Sequence, residues 1–137
     1  MNIQYISGFF DADGSITMVR SSRSAYFRHP KIDFSNTQLT ILQEIQNWLT
    51  EQGIKSYISE KPTKKKNHST SYTLGISYNS ALQMCKLLTS HHPIKKHRIA
   101  TINKYYSRLT KRNGKYTERE KQSKFALERL FFWSSIS

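Results

Sequence analysis

The chain has 137 residues, with 22 Lys and Arg against 9 Asp and Glu and a formal charge of +13. That length suffices for one domain with a core that needs no staples, the lone Cys85 excludes an internal disulfide, and no apolar run approaches the ~20 residues of a membrane-spanning helix. A charge excess of this size goes beyond what solubility needs and implies a polyanionic partner, nucleic acid before membrane.

The first element organises the rest of the chain. Ile3, Tyr5, Ile6, Phe9 and Phe10 form an apolar helical run that stops abruptly in Asp11-Ala12-Asp13-Gly14. A carboxylate there opposes the helix macrodipole, which is negative at the C-terminus, and needs compensation such as a divalent cation. Ser7 and Gly8 are small neighbours that would let a second backbone approach closely. An EF-hand does not account for the acids. With Asp11 first, Gly14 falls at loop position 4 and Ser22 at position 12, where the loop needs Gly at 6 and Glu at 12.

After Gly14 the apolar period changes from helical to alternating. Residues 16–20 read as a strand and residues 21–24 as a polar turn. Residues 26–36 read as the hairpin partner, with Ile32 and Phe34 on one face and Lys31, Asp33 and Ser35 on the other. Pro30 suits an edge or a bulge. Asn36-Thr37 is expected to cap a helix over about 38–52, built on Leu42, Ile45, Trp48 and Leu49 and stopped by Gly53.

The second half repeats the plan. Residues 55–61 are a strand with Ile58 inward, residues 62–70 a basic hairpin loop, and residues 71–78 a strand with Tyr72, Leu74 and Ile76 on one face. Asn79-Ser80 is expected to cap a helix carrying Leu82, Cys85 and Leu88 that ends before Pro93. Cys85, among Leu82, Met84 and Leu87, reads as a small core residue. His91-His92 reads as a helix end, because no Cys or His pair has zinc-ligand spacing. Two more helices follow, over about 95–109 and 117–134, with a basic polar link at 110–115. The last carries Phe125, Leu127, Leu130, Phe131 and Trp133 and is expected to pack on the domain's own helices. The expectation is an α+β fold of order αββαββα, with a four-stranded antiparallel sheet and helices over one face. Its core spans about 3–109 and a C-terminal helical extension about 116–135, within one domain covering 1–137.

Helices on one face leave the other face polar and basic. It would carry Thr17, Val19, Ser21, His29, Lys31, Asp33 and Ser35 from the first hairpin, and Lys55, Tyr57, Ser59, Lys61, Ser71 and Thr73 from the second. A two-stranded ribbon fits the DNA major groove, where each base pair shows a distinct donor and acceptor pattern. Arg20, Arg23, Tyr26 and Arg28, with the loop lysines Lys64, Lys65 and Lys66, would line the rims and take phosphates, contacts that position without specifying sequence.

Residues 6–14, ISGFFDADG, resemble the signature of the LAGLIDADG homing endonucleases, above all in the DADG end and the small pair Ser7-Gly8. The order of elements agrees over about residues 3–109. The resemblance implies that the polar sheet face is a DNA saddle and that the motif helix packs against a twin, through Ile6, Ser7, Phe9 and Phe10. It makes Asp13 the metal ligand, with the Ala12 carbonyl beside it, and Asp11 a structural residue. Gln38 resembles the family's water-ordering polar residue. Lys96 resembles the basic residue that polarises the attacking water or the phosphate, with Lys95 and Arg98 as alternatives for that role. The sequence departs from the family at Leu42, which falls where chloroplast-intron members carry a basic residue.

A single motif then implies two chains, since cutting both strands needs two centres. Two Asp13 carboxylates near a twofold axis would repel each other unless cations fill the site. The expected activity is Mg²⁺-dependent cleavage of duplex DNA at a long pseudo-palindromic target by a homodimer, with Ca²⁺ supporting binding without cleavage. Two readings stay beside it on the same scaffold: an RNA-binding intron maturase, which does not need Asp13, and a catalytically silent DNA-binding protein, against which the intact DADG counts. Met1-Asn2-Ile3-Gln4 lacks the features of a secretory signal, so an intracellular setting is expected. Abundant Lys, Ile, Asn and Ser with little Gly and Pro suits an AT-rich organellar gene of chloroplast or mitochondrion.

Overall fold

The computed structural model describes residues 1–20, 27–61, 70–111 and 115–133. Helix α1 (Ile3–Asp13) opens at Asn2, whose side chain accepts the Tyr5 amide at 2.8 Å, a standard N-cap bond. Ile6 and Phe10, one turn apart, are fully buried. The rings of Phe9 and Phe10 meet Phe34 at 6.0 and 5.8 Å between centroids. Burying a large apolar side chain contributes about 1.5–3 kcal/mol, so this one turn anchors the helix to the sheet.

The helix runs without a linker into strand β1 (Gly14–Val19). A Cβ on Gly14 would lie 2.5 Å from Phe10 Cδ1 and 2.8 Å from the Phe10 carbonyl oxygen. The turn therefore needs glycine for space. β1 pairs with β2 (His29–Asn36), β2 with β4 (Ser71–Ser77), and β4 with β3 (Tyr57–Lys61), every pair antiparallel, in the order β1-β2-β4-β3. The two hairpins thus join along β2 and β4. Because side chains alternate along a strand, Ile16, Met18, Ile32, Phe34, Leu74 and Ile76 enter one core with α1, α2 (Leu39–Glu51) and α3 (Tyr78–Leu87). Leu42, Ile45 and Leu49 bury the face of α2, and Ala81, Met84 and Cys85 that of α3. Burial pushes the Cys85 thiol up to about 12, as suits a packing residue. The α+β fold with its four-stranded antiparallel sheet is as expected.

Local details depart from expectation. Asn36-Thr37 does not cap α2: Gln38 stands at the N-cap without a side-chain bond, and Asn36 Oδ1 accepts the Gln38 amide at 2.8 Å. Nor do Asn79 and Ser80 cap α3, which starts at Tyr78 in the left-handed region at φ 56°. That conformation costs a bulky residue about 1–3 kcal/mol, and the Tyr78 ring stacks flat on His29, 3.9 Å between centroids and 8° apart in plane. α3 stops at Leu87, and His92 begins α4 (Pro93–Thr101), its side chain accepting the Lys95 amide at 3.5 Å. The histidine pair marks a helix start, with Pro93 where the missing N–H costs least. The helix expected over 95–109 is broken by a π-helical turn, Ile102–Tyr106, before the short α5 (Ser107–Leu109).

Helix α6 (Glu118–Phe132) opens with a capping box between Thr117 and Glu120. It packs on the chain's own helices, as expected, through Leu127 and Phe131. Arg98 lies 5.1 Å over the Phe131 ring, and His97 Nε2 is 2.7 Å from the Leu130 carbonyl oxygen. Lys124 is 1% exposed. Its ammonium sits 3.9 Å above the Tyr106 ring and donates to Thr110 Oγ1. Burial lowers its pKa from 10.5 to about 8, against a smaller opposing pull from Glu128. Among the described residues no helix is long and apolar enough to cross a membrane.

Gly14→Ala should lower unfolding free energy by about 1–3 kcal/mol in a denaturant titration, since the added carbon meets helix backbone. Lys124→Met isolates the buried ammonium. Its folded pKa lies below the unfolded one, so the native state binds fewer protons between about 8 and 10.5, and stability rises with pH across that window. Melting temperatures of wild type should therefore climb relative to Lys124→Met from pH 8 upward.

Candidate catalytic and nucleic-acid-binding site

The end of α1 separates its two acids into different surroundings. Asp11 accepts the Ser90 hydroxyl and, at 2.8 Å, the His91 amide. Burial acts to raise its carboxyl pKa, but the His91 amide, the Ser90 hydroxyl and nearby Lys95 outweigh that and hold it below 3.8. One turn earlier, Ser7 Oγ accepts the Thr89 amide at 3.1 Å. Lys95 completes the fastening, its Nζ donating to the carbonyl oxygens of Phe10 at 2.9 Å and Asp11 at 3.0 Å. A cation on the last carbonyls of a helix offsets the macrodipole and satisfies acceptors the helix leaves open.

Asp13, by contrast, is exposed. Its Oδ2 accepts from Asn36 Nδ2 at 3.3 Å, and the other end of the same amide accepts the Gln38 backbone N–H. Asn36 therefore brings Asp13 and Gln38 together, with the Gln38 residue exposed at the head of α2. Asn36 is a site residue that the sequence presents only as a helix cap. The signal that could have found it is its place at the end of β2, beside the start of β1, where Gly14 pairs with Phe34.

The three cations proposed for one role have three different placements. Lys95 is committed to α1. Arg98 donates through Nη1 to the Ile16 carbonyl at 2.8 Å and lies against Phe131 and Phe132, with burial lowering its pKa. Lys96 is exposed.

The helix face expected to meet a twin needs correction. Ile6 and Phe10 are fully buried and Ser7 is 6% exposed within the chain's own core, because positions four apart share one helix face and the sheet takes that face. Tyr5, Gly8 and Ala12 point outward instead, with Phe9 half-buried beside them. Nothing lies within 4 Å of where a Gly8 Cβ would sit.

Among the described residues no three His, Cys, Asp or Glu side chains converge as a metal cluster. The fit to a hard cation is therefore partial. Asp13 offers an exposed carboxylate with the Ala12 carbonyl next to it in the chain, oxygen donors of the kind Mg²⁺ and Ca²⁺ prefer.

The strand register puts the polar residues on the open side of the sheet. Thr17 and Val19 on β1 face Lys31 and His29 on β2. Asp33 lies across from Ser15 and Gly75, and Ser35 across from Thr73, their hydroxyl oxygens 3.3 Å apart. On the far side Tyr57, Ser59 and Lys61 of β3 meet Gly75, Thr73 and Ser71 of β4. Gly75 is bare because the Tyr57 ring lies over it: a Cβ there would be 2.6 Å from Tyr57 Cζ. Burial and Lys31 hold the His29 pKa down. Ser77 shares this face, as its alternation with Ile76 predicts, and Ser15 does so beyond the residues expected from sequence, although a period of two carries to it from Thr17.

Rim positions divide. Arg20 and Lys55 are exposed. Arg28 turns away, 3.7 Å from Glu128 and 5.1 Å over the Phe132 ring, so α6 engages the group expected to meet phosphate. Ser21, Arg23, Tyr26, Lys64, Lys65 and Lys66 lie outside the described residues.

Comparison with known proteins adds independent findings. Among solved structures, the archaeal intron-encoded homing endonuclease I-Vdi141I, complexed with DNA, superposes with a TM-score of 0.64 at 18% identity, over 98% of this chain and 84% of that one. The homing endonuclease I-TnaI gives 0.63 at 14% identity, over 98% and 90%. I-SmaMI, bound to uncleaved DNA with calcium ions, gives 0.63 at 14% identity, over 98% of this chain but 47% of that one. Among curated proteins none matches. A family profile described as a LAGLIDADG-like domain matches residues 1–89, most of the chain and all of α1 through α3. The four-stranded sheet, the ISGFFDADG helix that feeds it and this match together establish that the chain belongs to the LAGLIDADG-like domain family.

Proposed function

We propose that the chain is one subunit of a homodimeric, site-specific DNA endonuclease that hydrolyses phosphodiester bonds with Mg²⁺. The observation that carries this reading is the exposed Asp13 carboxylate, delivered by α1 to the end of a polar, basic sheet face with Asn36 and Gln38 beside it. A solvated antiparallel face alone would be ordinary. An acid aimed outward at the negative end of a helix is not.

DNA fits the open face because its strands present donors, acceptors and cations together, and a two-stranded ribbon of that kind enters the major groove. Relatives of the fold were solved with DNA, I-SmaMI in the presence of calcium and I-CvuI in the presence of magnesium, in both cases with the DNA uncleaved. A bound divalent cation would neutralise charge on the scissile phosphate and assist the leaving oxygen. The chain's own residues do the rest. Asp13 and the Ala12 carbonyl would hold the cation, and the Asn36 amide orients the carboxylate. Gln38 presents a donor and an acceptor for water, and Lys96 places positive charge by the phosphate. Lys95 keeps the helix end rigid, so the acid stays where the face delivers it.

Two chains are required because one offers one such acid. One copy spans most of I-Vdi141I and I-TnaI but about half of I-SmaMI, as expected if two copies here do what one longer chain does there. The outward Gly8 and Ala12, four residues apart with Tyr5 on the same face, would let two α1 helices approach closely. Such crossings use small residues at that spacing.

Asp13→Asn should abolish cleavage of duplex DNA in Mg²⁺ while binding in Ca²⁺, measured by gel shift, stays within a few fold. Full cleavage by that variant would remove the mechanism. Gly8→Arg should fold, as read by circular dichroism, yet elute as a monomer in light scattering and lose double-strand cleavage. A cleaving monomer would contradict the twofold arrangement.

A further inference from the structure

Among the described residues of the open sheet face there is one acid, Asp33, on a surface otherwise built of cations, hydroxyls and rings with Val19 and Gly75. On a surface meant for phosphates a carboxylate is repelled unless it meets a donor. Asp33 Oδ1 is buried and makes no hydrogen bond. Lys31, two residues earlier on the same face of β2, places its Nζ 3.9 Å from that oxygen, close enough for charge attraction and too far for a hydrogen bond. Gly75, opposite Asp33 on β4, contributes no side chain, and the Tyr57 ring covers it. The free protein thus holds an acceptor without a donor and, beside it, a cation without an acceptor in hydrogen-bond reach.

We propose that Lys31 and Asp33 together read one G·C base pair in each half-site. Asp33, whose side chain stays 24% exposed although Oδ1 is buried, accepts from the cytosine N4 amine with its outer oxygen, and Lys31 donates to guanine O6. This inference rests on the DNA-binding reading above and adds to it the identity of a base pair and of the two groups that read it. The major-groove edge decides between bases. Cytosine shows an amine donor, guanine shows the O6 and N7 acceptors, and the two meet at the centre of the pair. A neighbouring cation and anion on one strand match that order. An adenine amine is flanked by its own N7 and by thymine O4, both acceptors, and the thymine methyl fills the space beside them. A carboxylate placed there would face repulsion, so cytosine is preferred. In a homodimer the same pair is read twice, at positions related by the twofold.

The test is selection of bound duplexes from a randomised library by the full chain in Ca²⁺, followed by sequencing. Wild type should enrich G·C about tenfold or more at one symmetric pair of positions, the discrimination a specific base contact supplies. Asp33→Asn keeps the shape but adds a donor, and should move that preference towards A·T, since adenine pairs with a side-chain amide. Lys31→Met should relax the preference at the same base pair. Glu44→Gln, exposed on α2 across the sheet from the open face, should leave it alone. Unchanged preference at that position in Asp33→Asn, effects of the two variants at different positions, or a uniform loss of affinity from both would overturn the assignment. Failure of wild type to enrich any sequence sinks the DNA-binding reading and this inference with it, whereas intact enrichment that ignores Asp33 sinks this inference alone.

Discussion

The ammonium of Lys95, set on the carbonyl oxygens of Phe10 and Asp11, is the contact on which the site depends. A helix that ends in two acids works against its own dipole. Left alone, its last turn would fray and the terminal carboxylate would have no fixed address. Here the turn is clamped from the side by residues 89–95, through Thr89 to Ser7, Ser90 and His91 to Asp11, and Lys95 to the backbone. The two acids then part company. Asp11 holds the segment in place, and Asp13 faces outward, steadied by the Asn36 amide.

The sheet uses a simpler physical rule. Strand side chains alternate, so each strand can give one side to the core and the other to the outside. Ile32 and Phe34 go inward while Lys31, Asp33 and Ser35 stay out, and the pattern repeats in β1 and β4. Joining the hairpins along β2 and β4 merges two such faces into one surface with a consistent register. Gly75 lets the Tyr57 ring lie down on that surface, and the strained Tyr78 adds a second flat stack with His29. Both aromatic placements carry a backbone requirement, a missing side chain in one case and a left-handed residue in the other.

How much of the fold and site is legible in the chain depends on whether the signal is local. The strands and helices follow from periods of two and of 3.6, and the acid at the end of α1 stands out because helices seldom finish that way. Which side of α1 faces inward is not legible, since Ile3, Tyr5, Ile6, Phe9 and Phe10 encircle much of the helix. Only the sheet's position decides that Ile6 and Phe10 belong to the core and Gly8 does not. Lys95, Lys96 and Arg98 are equivalent in sequence, yet successive helical residues point in different directions, and each meets a different neighbour. Arg28 is lost to Glu128, a partner far along the chain. Asn36 looks like a cap because Asn commonly is one, and its actual bonds depend on where β1 begins. The π-helical turn at Ile102–Tyr106 leaves no mark in the pattern of apolar residues.

The junction of α1 and β1 has a mechanical consequence. Asp13 closes the helix and Gly14 opens the strand, with no residue between them to absorb motion. A strand advances about 3.3 Å per residue, so one inserted residue there would shift the carboxylate by a comparable distance against the whole open face and turn β1 over. The acid and the first strand behave as a single lever. Any force that bends a ligand held on the strand is transmitted straight to the carboxylate, and divergence of this protein must move both ends of the lever together or neither.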